Sequence, residues 1–177
     1  MKEERRQFFE RIDGDQYRDY ILSHCSKDYE KVKRSLERLM DNRFMFDSPW
    51  DMEPCSKIHQ IQPMVWYQVF EDDPEWAYML NRQEYLLQFM IGYLVEGDKG
   101  YIQKCKFFLF DWIERVREFS PQSLMTRTLD TGIRSFTWLK LLLLLLKFDL
   151  LEEQELEKIL VSLEKQIDFM KSHYRAK

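Results

Sequence analysis

The sequence predicts an all-α fold, an open arc of antiparallel helical hairpins closing part of an α/α toroid. Apolar residues recur at helical spacing through most of the chain. Only 5 Gly and 5 Pro occur in 177 residues, too few for the many tight turns of a β-sandwich. Two pairs of helical segments are separated by so few residues that each pair must fold back on itself. The length suits one domain, and the whole of 1–177 is read as a single helical unit.

The first element is an amphipathic helix over 28–41, with Val32, Leu36 and Leu39 on one face and a solvated outer face of alternating charges. From 43 to 73 the texture changes. Four of the five prolines lie between Pro49 and Pro74, and Phe44, Phe46, Trp50, Trp66 and Phe70 are scattered among them without a period, so this stretch reads as an ordered, aromatic-rich connection.

The first hairpin covers 79–118. Leu87, Met90, Ile91, Leu94 and Val95 form a stripe that stops at Gly97, where Gly97-Asp98 supplies a left-handed cap and turn. Its partner carries Ile102, Cys105, Phe108, Leu109, Trp112, Ile113 and Val116 and breaks at Ser120-Pro121. The second hairpin covers 131–174, after a polar stretch from Gln122 to Asp130. A helix from about Ile133 to Phe148 is apolar nearly all round, Asp149–Glu153 make the turn, and Leu156, Ile159, Leu160, Leu163, Ile167 and Met170 line one face of the last helix. Each hairpin thus joins a helix with little polar surface to one with a charged outer face. Such pairs stack as the inner and outer layers of a solenoid or toroid.

Composition narrows the function. With 27 Lys plus Arg against 31 Asp plus Glu the net charge is −4, so no nucleic acid partner is expected, and a polyanion would have to be held by a local cluster of cations. Cys25, Cys55 and Cys105 are odd in number and far apart, which points to neither a disulfide framework nor a zinc site, and Cys105 reads as a small core residue. His24, His59 and His173 have no partner at metal or triad spacing. No cofactor, no metal and no catalytic residue are therefore assigned. Met1–Ile12 is too charged for the apolar centre of a signal peptide, and the Leu141–Leu146 run, flanked by Lys140 and Lys147, is too short to span a bilayer.

A second kind of signal lies in a set of ordered motifs. These are Pro74-Glu75-Trp76 and Leu80-Asn81-Arg82, then Gly97-Asp98 with Tyr101, then Asp111-Trp112-Ile113. Last comes Thr128-Leu129-Asp130-Thr131-Gly132-Ile133-Arg134 with Trp138. In this order and spacing, Asp73–Trp138 resembles the N-terminal helical domain of the heparinase II/III-like polysaccharide lyases. The likeness covers the middle two-thirds of the chain and extends loosely to both ends. It departs at Gln83, where the family usually has His.

The resemblance implies an incomplete α/α toroid followed by a β-sandwich, with the substrate groove between them. It also implies β-elimination on uronate-containing acidic polysaccharides. In that family an Asn, Gln, Arg or His neutralises the uronate carboxylate, a Tyr removes the C5 proton and a His protonates the departing O4. These residues lie downstream of the region matched here, as does the β-sandwich, and the sequence stops at Lys177. The chain alone is therefore expected to be catalytically silent and at most to bind acidic polysaccharide or oligosaccharide weakly. A periplasmic or secreted location follows if it comes from an exported lyase.

The substrate-binding candidates are Asn81, Arg82, Arg134, Trp138 and Trp76. Asn81 and Arg82 are read as opening a helix, with positions 81, 85 and 88 on one face toward a groove. The competing reading makes Asn81 a helix N-cap and pairs Arg82 with Glu75 or Asp73. Arg134 and Trp138 form an i, i+4 pair able to grip a sulfate or carboxylate and stack on a pyranose, or else a structural arginine stacked on Trp138. Trp76 either meets ligand or anchors the Pro-rich connection. The alternative function is a helical protein-interaction module, with uncovered helix faces available for self-association.

Overall fold

The structure is a computed structural model that describes residues 13–47, 55–70, 72–116 and 118–173. The readings of Met1–Ile12 and of Trp50 lie outside the described residues. Among the described residues the chain forms seven helices and one two-stranded sheet. The predicted all-α class holds as a mostly helical fold. No described helix is long and apolar enough to cross a membrane.

Helix α1 (Gly14–His24) starts where the Asp13 carboxylate accepts from the backbone N–H groups of Asp15 and Gln16. None of its residues is buried, and its sequence carries no clear apolar stripe from which a helix is predicted. Helix α2 (Ser26–Met40) buries Tyr29, Leu36 and Leu39 and faces solvent with its charges.

The 43–73 segment requires a correction. It is not a connection without regular structure throughout: β1 (Arg43–Phe46) pairs antiparallel with β2 (Cys55–Gln60), with Phe44 opposite His59. Four residues are too few to show a period of two, and β2 exposes its one large aliphatic side chain, Ile58, so neither strand carries a readable alternation. The strand pair matters because it plants Phe44 in the core. That ring lies 5.3 Å from Tyr85, 5.5 Å from Phe108 and 6.4 Å from Trp76.

Helix α3 (Pro74–Arg82) is capped by Asp73, whose carboxylate accepts from Glu75 N–H, and has Pro74 in its first turn. It ends at Gln83, which takes a left-handed conformation at φ 56°. Asn81 and Arg82 therefore close a helix instead of opening one. The N-cap alternative for Asn81 fails for the same reason, and 81, 85 and 88 do not share one helical face. The apolar run on either side of Gln83 is continuous enough to hide this break in the sequence.

Helices α4 (Leu86–Glu96) and α5 (Lys99–Arg115) make the first hairpin. Gly97 at φ 71° ends α4, and the Asp98 carboxylate accepts from Gly100 N–H to begin α5. Helices α6 (Thr128–Lys147) and α7 (Glu153–His173) make the second. Helix α6 begins about five residues earlier than predicted, and Arg127 and Asp130 pair across its first turn. Its Leu141–Leu146 run is only half enclosed: Leu141, Leu142 and Leu145 are buried, Leu144 and Leu146 half-buried and Leu143 exposed.

The hairpins lie side by side, α4 against α6 and α5 against α7, with α3 laid on α6 and α2 on α4. One core cluster runs through them and includes Trp66, Trp76, Trp112 and Trp138, each no more than 1% exposed. Where α2 crosses α4 the backbones approach at Gly92. A Cβ there would stand 2.5 Å from Leu36 Cδ1 and 3.0 Å from Tyr101 Cδ2. Gly92→Ala is expected to lower stability by about 1–3 kcal/mol, the usual range for overpacking a filled core. Urea denaturation measures it, and an unchanged midpoint would show that the crossing has slack.

Candidate functional site

The motif residues converge at the junction of α3 and α6, and they converge inward. Asn81 donates from Nδ2 to the carbonyls of Trp66 and Ala77 at 2.6 and 2.8 Å, while its Oδ1 accepts from Trp112 Nε1 at 2.8 Å. All three polar positions of the side-chain amide are thus engaged within the chain. Arg82 donates from Nε to Asp130 and from Nη2 to Glu75, both at 2.7 Å, and Arg127 donates from Nε to the second Asp130 oxygen at 2.6 Å. Asp130 is fully buried and is served by two guanidinium groups.

Arg134 is the centre of a second set. Its Nε donates to Gln166 Oε1 at 2.9 Å, Nη1 to the carbonyls of Asn81 at 2.8 Å and Met125 at 3.0 Å, and Nη2 to Thr131 Oγ1 at 3.1 Å. Burial pushes its pKa down to about 9, with the charge of Asp130 opposing, so it remains a cation at neutral pH. Its guanidinium carbon lies 4.0 Å from the centre of the Trp112 ring, so the structural stack read as the alternative is made on Trp112 and not on Trp138. Trp138 instead donates to Gln83 Oε1 at 2.8 Å and meets Trp112 edge-on at 5.3 Å. Trp76 packs edge-on against Phe46 at 5.4 Å and Phe70 at 4.6 Å, holding the connection to α3.

None of Asn81, Arg82, Arg134, Trp138 and Trp76 is more than 5% exposed. In this chain their side chains do not form an open binding surface. They form a buried clamp that fixes α3, α6 and α7 against one another. The pairing of Arg82 with Glu75 matches one of the alternatives read from the sequence.

The accessible feature lies on the other side of Arg82. A cleft of about 1060 Å³ opens between α2, β1, the α3–α4 junction and the first half of α6. Lys31, Arg34 and Arg38 of α2 line one side and Lys140 of α6 another, against two carboxylates, Asp47 and Glu84. Among the described residues Arg34 and Arg38 carry no carboxylate partner, and Lys31 meets only the exposed Asp28 at 2.9 Å. Across from α2 stand Leu129, Ile133 and Phe136 of α6. Phe136 is 62% exposed, and Lys140 Nζ lies 4.2 Å from its ring centre. A locally cationic, partly apolar trough thus sits on a chain whose net charge is −4.

The cleft cations were not singled out in the sequence, although a signal existed. Lys27, Lys31, Arg34 and Arg38 follow one another at i, i+4, i+7 and i+11, a single helical stripe that was absorbed into the solvated outer face of the 28–41 helix.

Residues 16–177 match the family model described as Heparinase II/III N-terminus. The chain belongs to that family. Neither the curated proteins nor the solved structures contain a significant match to it. As a heparinase II/III N-terminal domain it places the family-like motif residues in the clamp, and Lys31, Arg34, Arg38 and Lys140 line the cleft beside it.

Proposed function

We propose that this heparinase II/III N-terminal domain is the substrate-groove part of a polysaccharide lyase acting by β-elimination on uronate-containing acidic polysaccharide, and that the cleft along α2 holds the polymer. The observation that supports this is the gathering of Lys31, Arg34, Arg38 and Lys140 around one trough on an otherwise acidic chain. Anionic groups would pair with the cations, and the apolar faces of the sugar rings would lie on Leu129, Ile133 and Phe136. The two hairpins are read as part of an α/α toroid with the cleft on its concave side. Asn81, Arg82, Arg134, Trp138 and Trp76 serve the groove from behind, setting the position of its α6 wall, with Arg82 at the cleft floor.

Catalysis is not assigned to this chain alone. Incubation with heparin, heparan sulfate, hyaluronan and alginate should give no rise in the ultraviolet absorbance of an unsaturated uronate, and a steady rise would overturn the claim of silence. Binding is tested by titration calorimetry with acidic oligosaccharides at low salt. Each of Arg34→Ala and Arg38→Ala should weaken binding about fivefold, equivalent to about 1 kcal/mol for a partly exposed ion pair. Affinity unchanged in both variants would remove α2 from the site.

The exposed Leu139 and Leu143 of α6, with Leu160 and Val161 of α7, favour a second reading as a protein-interaction module. Light scattering at high concentration tests it, and a strictly monomeric mass would count against self-association.

A further inference from the structure

Every exposed residue of α6 is apolar or cationic: Leu129, Phe136, Leu139 and Leu143 with Lys140, while the one carboxylate of the helix, Asp130, is buried. On α7 the exposed Leu160, Val161 and Ile167 stand instead among Glu157 and Glu164. Among the described residues Lys140 has no carboxylate partner and the two glutamates have no cation. We infer that the outer face of the α6–α7 hairpin is a self-complementary interface, on which a second copy of the chain docks with its α7 along α6 and its α6 along α7. This names the partner for the interaction-module reading above and rests on it.

The two helices hold a fixed register within the chain. They run antiparallel, Arg134 and Ser135 both reach Gln166, at 2.9 and 3.2 Å, and a Cβ on Gly132 would stand 3.5 Å from Met170 Sδ. Leu139 therefore stands level with Val161 and Leu143 with Glu157, and Lys140 falls between the levels of Glu157 and Glu164. Helices α3 and α4 pack on α6, and α5 packs on α7, from the opposite side. Lys158, one turn beyond the Glu155 that binds Lys106 of α5, lies on the α5 edge of α7 and away from this face.

A twofold axis running along the hairpin keeps every level and exchanges the two helices. The apolar side chains of α6 then meet those of the partner's α7, and Lys140 comes between the partner's Glu157 and the partner's Glu164. An axis across the hairpin would stack α6 on α6 and set carboxylates against carboxylates, so charge selects the first arrangement. An anionic lipid surface would be repelled by the α7 half of the face. Helices of 20 and 21 residues, about 30 Å long and about 10 Å wide, offer about 600 Å² in projection, near the ~800 Å² of accessible surface that each side of a stable interface buries.

The test is sedimentation equilibrium of the whole chain, where the mass of two chains is expected. Leu143→Glu should raise the dimer dissociation constant at least about tenfold, as the loss of an apolar contact inside an interface does. Lys140→Glu should raise it about fivefold, and so should Glu157→Lys with Glu164→Lys; the three charge reversals together should return it to within about twofold of the original. All four positions are exposed, and thermal melting followed by circular dichroism checks that each variant keeps the fold. A dimer indifferent to Leu143→Glu, or charge reversals that fail to compensate one another, would overturn the α6-on-α7 interface and leave the interaction-module reading standing. A monomer at every concentration would overturn the inference. If that monomer sediments with phosphatidylglycerol vesicles the face belongs to a lipid surface, and if it does not the interaction-module reading falls as well.

Discussion

Asp130→Asn should lower the stability of the chain by about 3–5 kcal/mol, the cost typical of breaking a buried ion pair from one side. The substitution keeps the shape of the side chain, removes its charge and turns one of two accepting oxygens into an amide donor facing a guanidinium. In the native fold Asp130 is fully buried and accepts from Arg82 Nε at 2.7 Å and Arg127 Nε at 2.6 Å. Glu75 is the remaining carboxylate of the cluster, 2.7 Å from Arg82 and 3.8 Å from Arg127. One carboxylate would then have to answer two guanidinium groups, and Arg82, with a side chain 6% exposed, cannot turn to water. Asp130 also lies in the first turn of α6, where a negative charge is favoured by the helix dipole. Arg127 is the more exposed partner and can relax outward, so Arg127→Ala should cost less than Asp130→Asn. Urea denaturation followed by circular dichroism gives both numbers. A loss below about 1 kcal/mol for Asp130→Asn would mean that water reaches the cluster and screens it.

Much of the helical frame can be read from the sequence because its signals are local. Gly97-Asp98 both ends α4 and caps α5, and the apolar stripes of α4, α5 and α7 recur at helical spacing. The family resemblance is likewise carried by motifs whose order survives without knowledge of contacts. What the sequence hides is direction. Arg134 and Trp138 sit one turn apart on α6, and a helical wheel puts them on one face. It does not reveal that the face is covered by α3 and α7 and that the arginine stacks on Trp112 of another helix. The residue types are those of a sugar site, yet Asn, Arg and Trp are also the side chains that fasten helix ends when buried with partners. The α2 cations were hidden for the converse reason. A charged stripe on an amphipathic helix is ordinarily a solvated face, and only the position of α6 across from it turns that face into a wall. The β1–β2 pair depends on contacts between residues far apart in sequence, and neither strand is long enough to announce itself.

Arg134→Met should be as damaging as Asp130→Asn, about 3–5 kcal/mol, for a different physical reason. Arg134 has no carboxylate among its hydrogen-bond partners. Its donors serve neutral oxygens in four places: the Asn81 carbonyl in the last turn of α3, the Met125 carbonyl in the segment before α6, Thr131 on α6 itself and Gln166 on α7. The last carbonyls of a helix have no intrahelical donor, so Arg134 supplies the C-terminal cap of α3 from another helix, and its positive charge suits that end of the dipole. Methionine fills the volume against Trp112 but donates nothing. The carbonyl of Asn81 would be left buried and unsatisfied and that of Met125 half-buried without its donor, at up to about 1–3 kcal/mol each. The charge itself contributes little, since burial has already pushed the guanidinium down to about 9 and its desolvation opposes the fold. Arg134→Lys separates these effects: it keeps the cation but not the planar fork, and should recover only part of the loss. For a chain of this length Arg134→Met should lower Tm by roughly 10 °C, read by differential scanning calorimetry. Full rescue by lysine would assign the stabilisation to charge alone and would dismiss the role of Arg134 as the cap that joins α3 to α7.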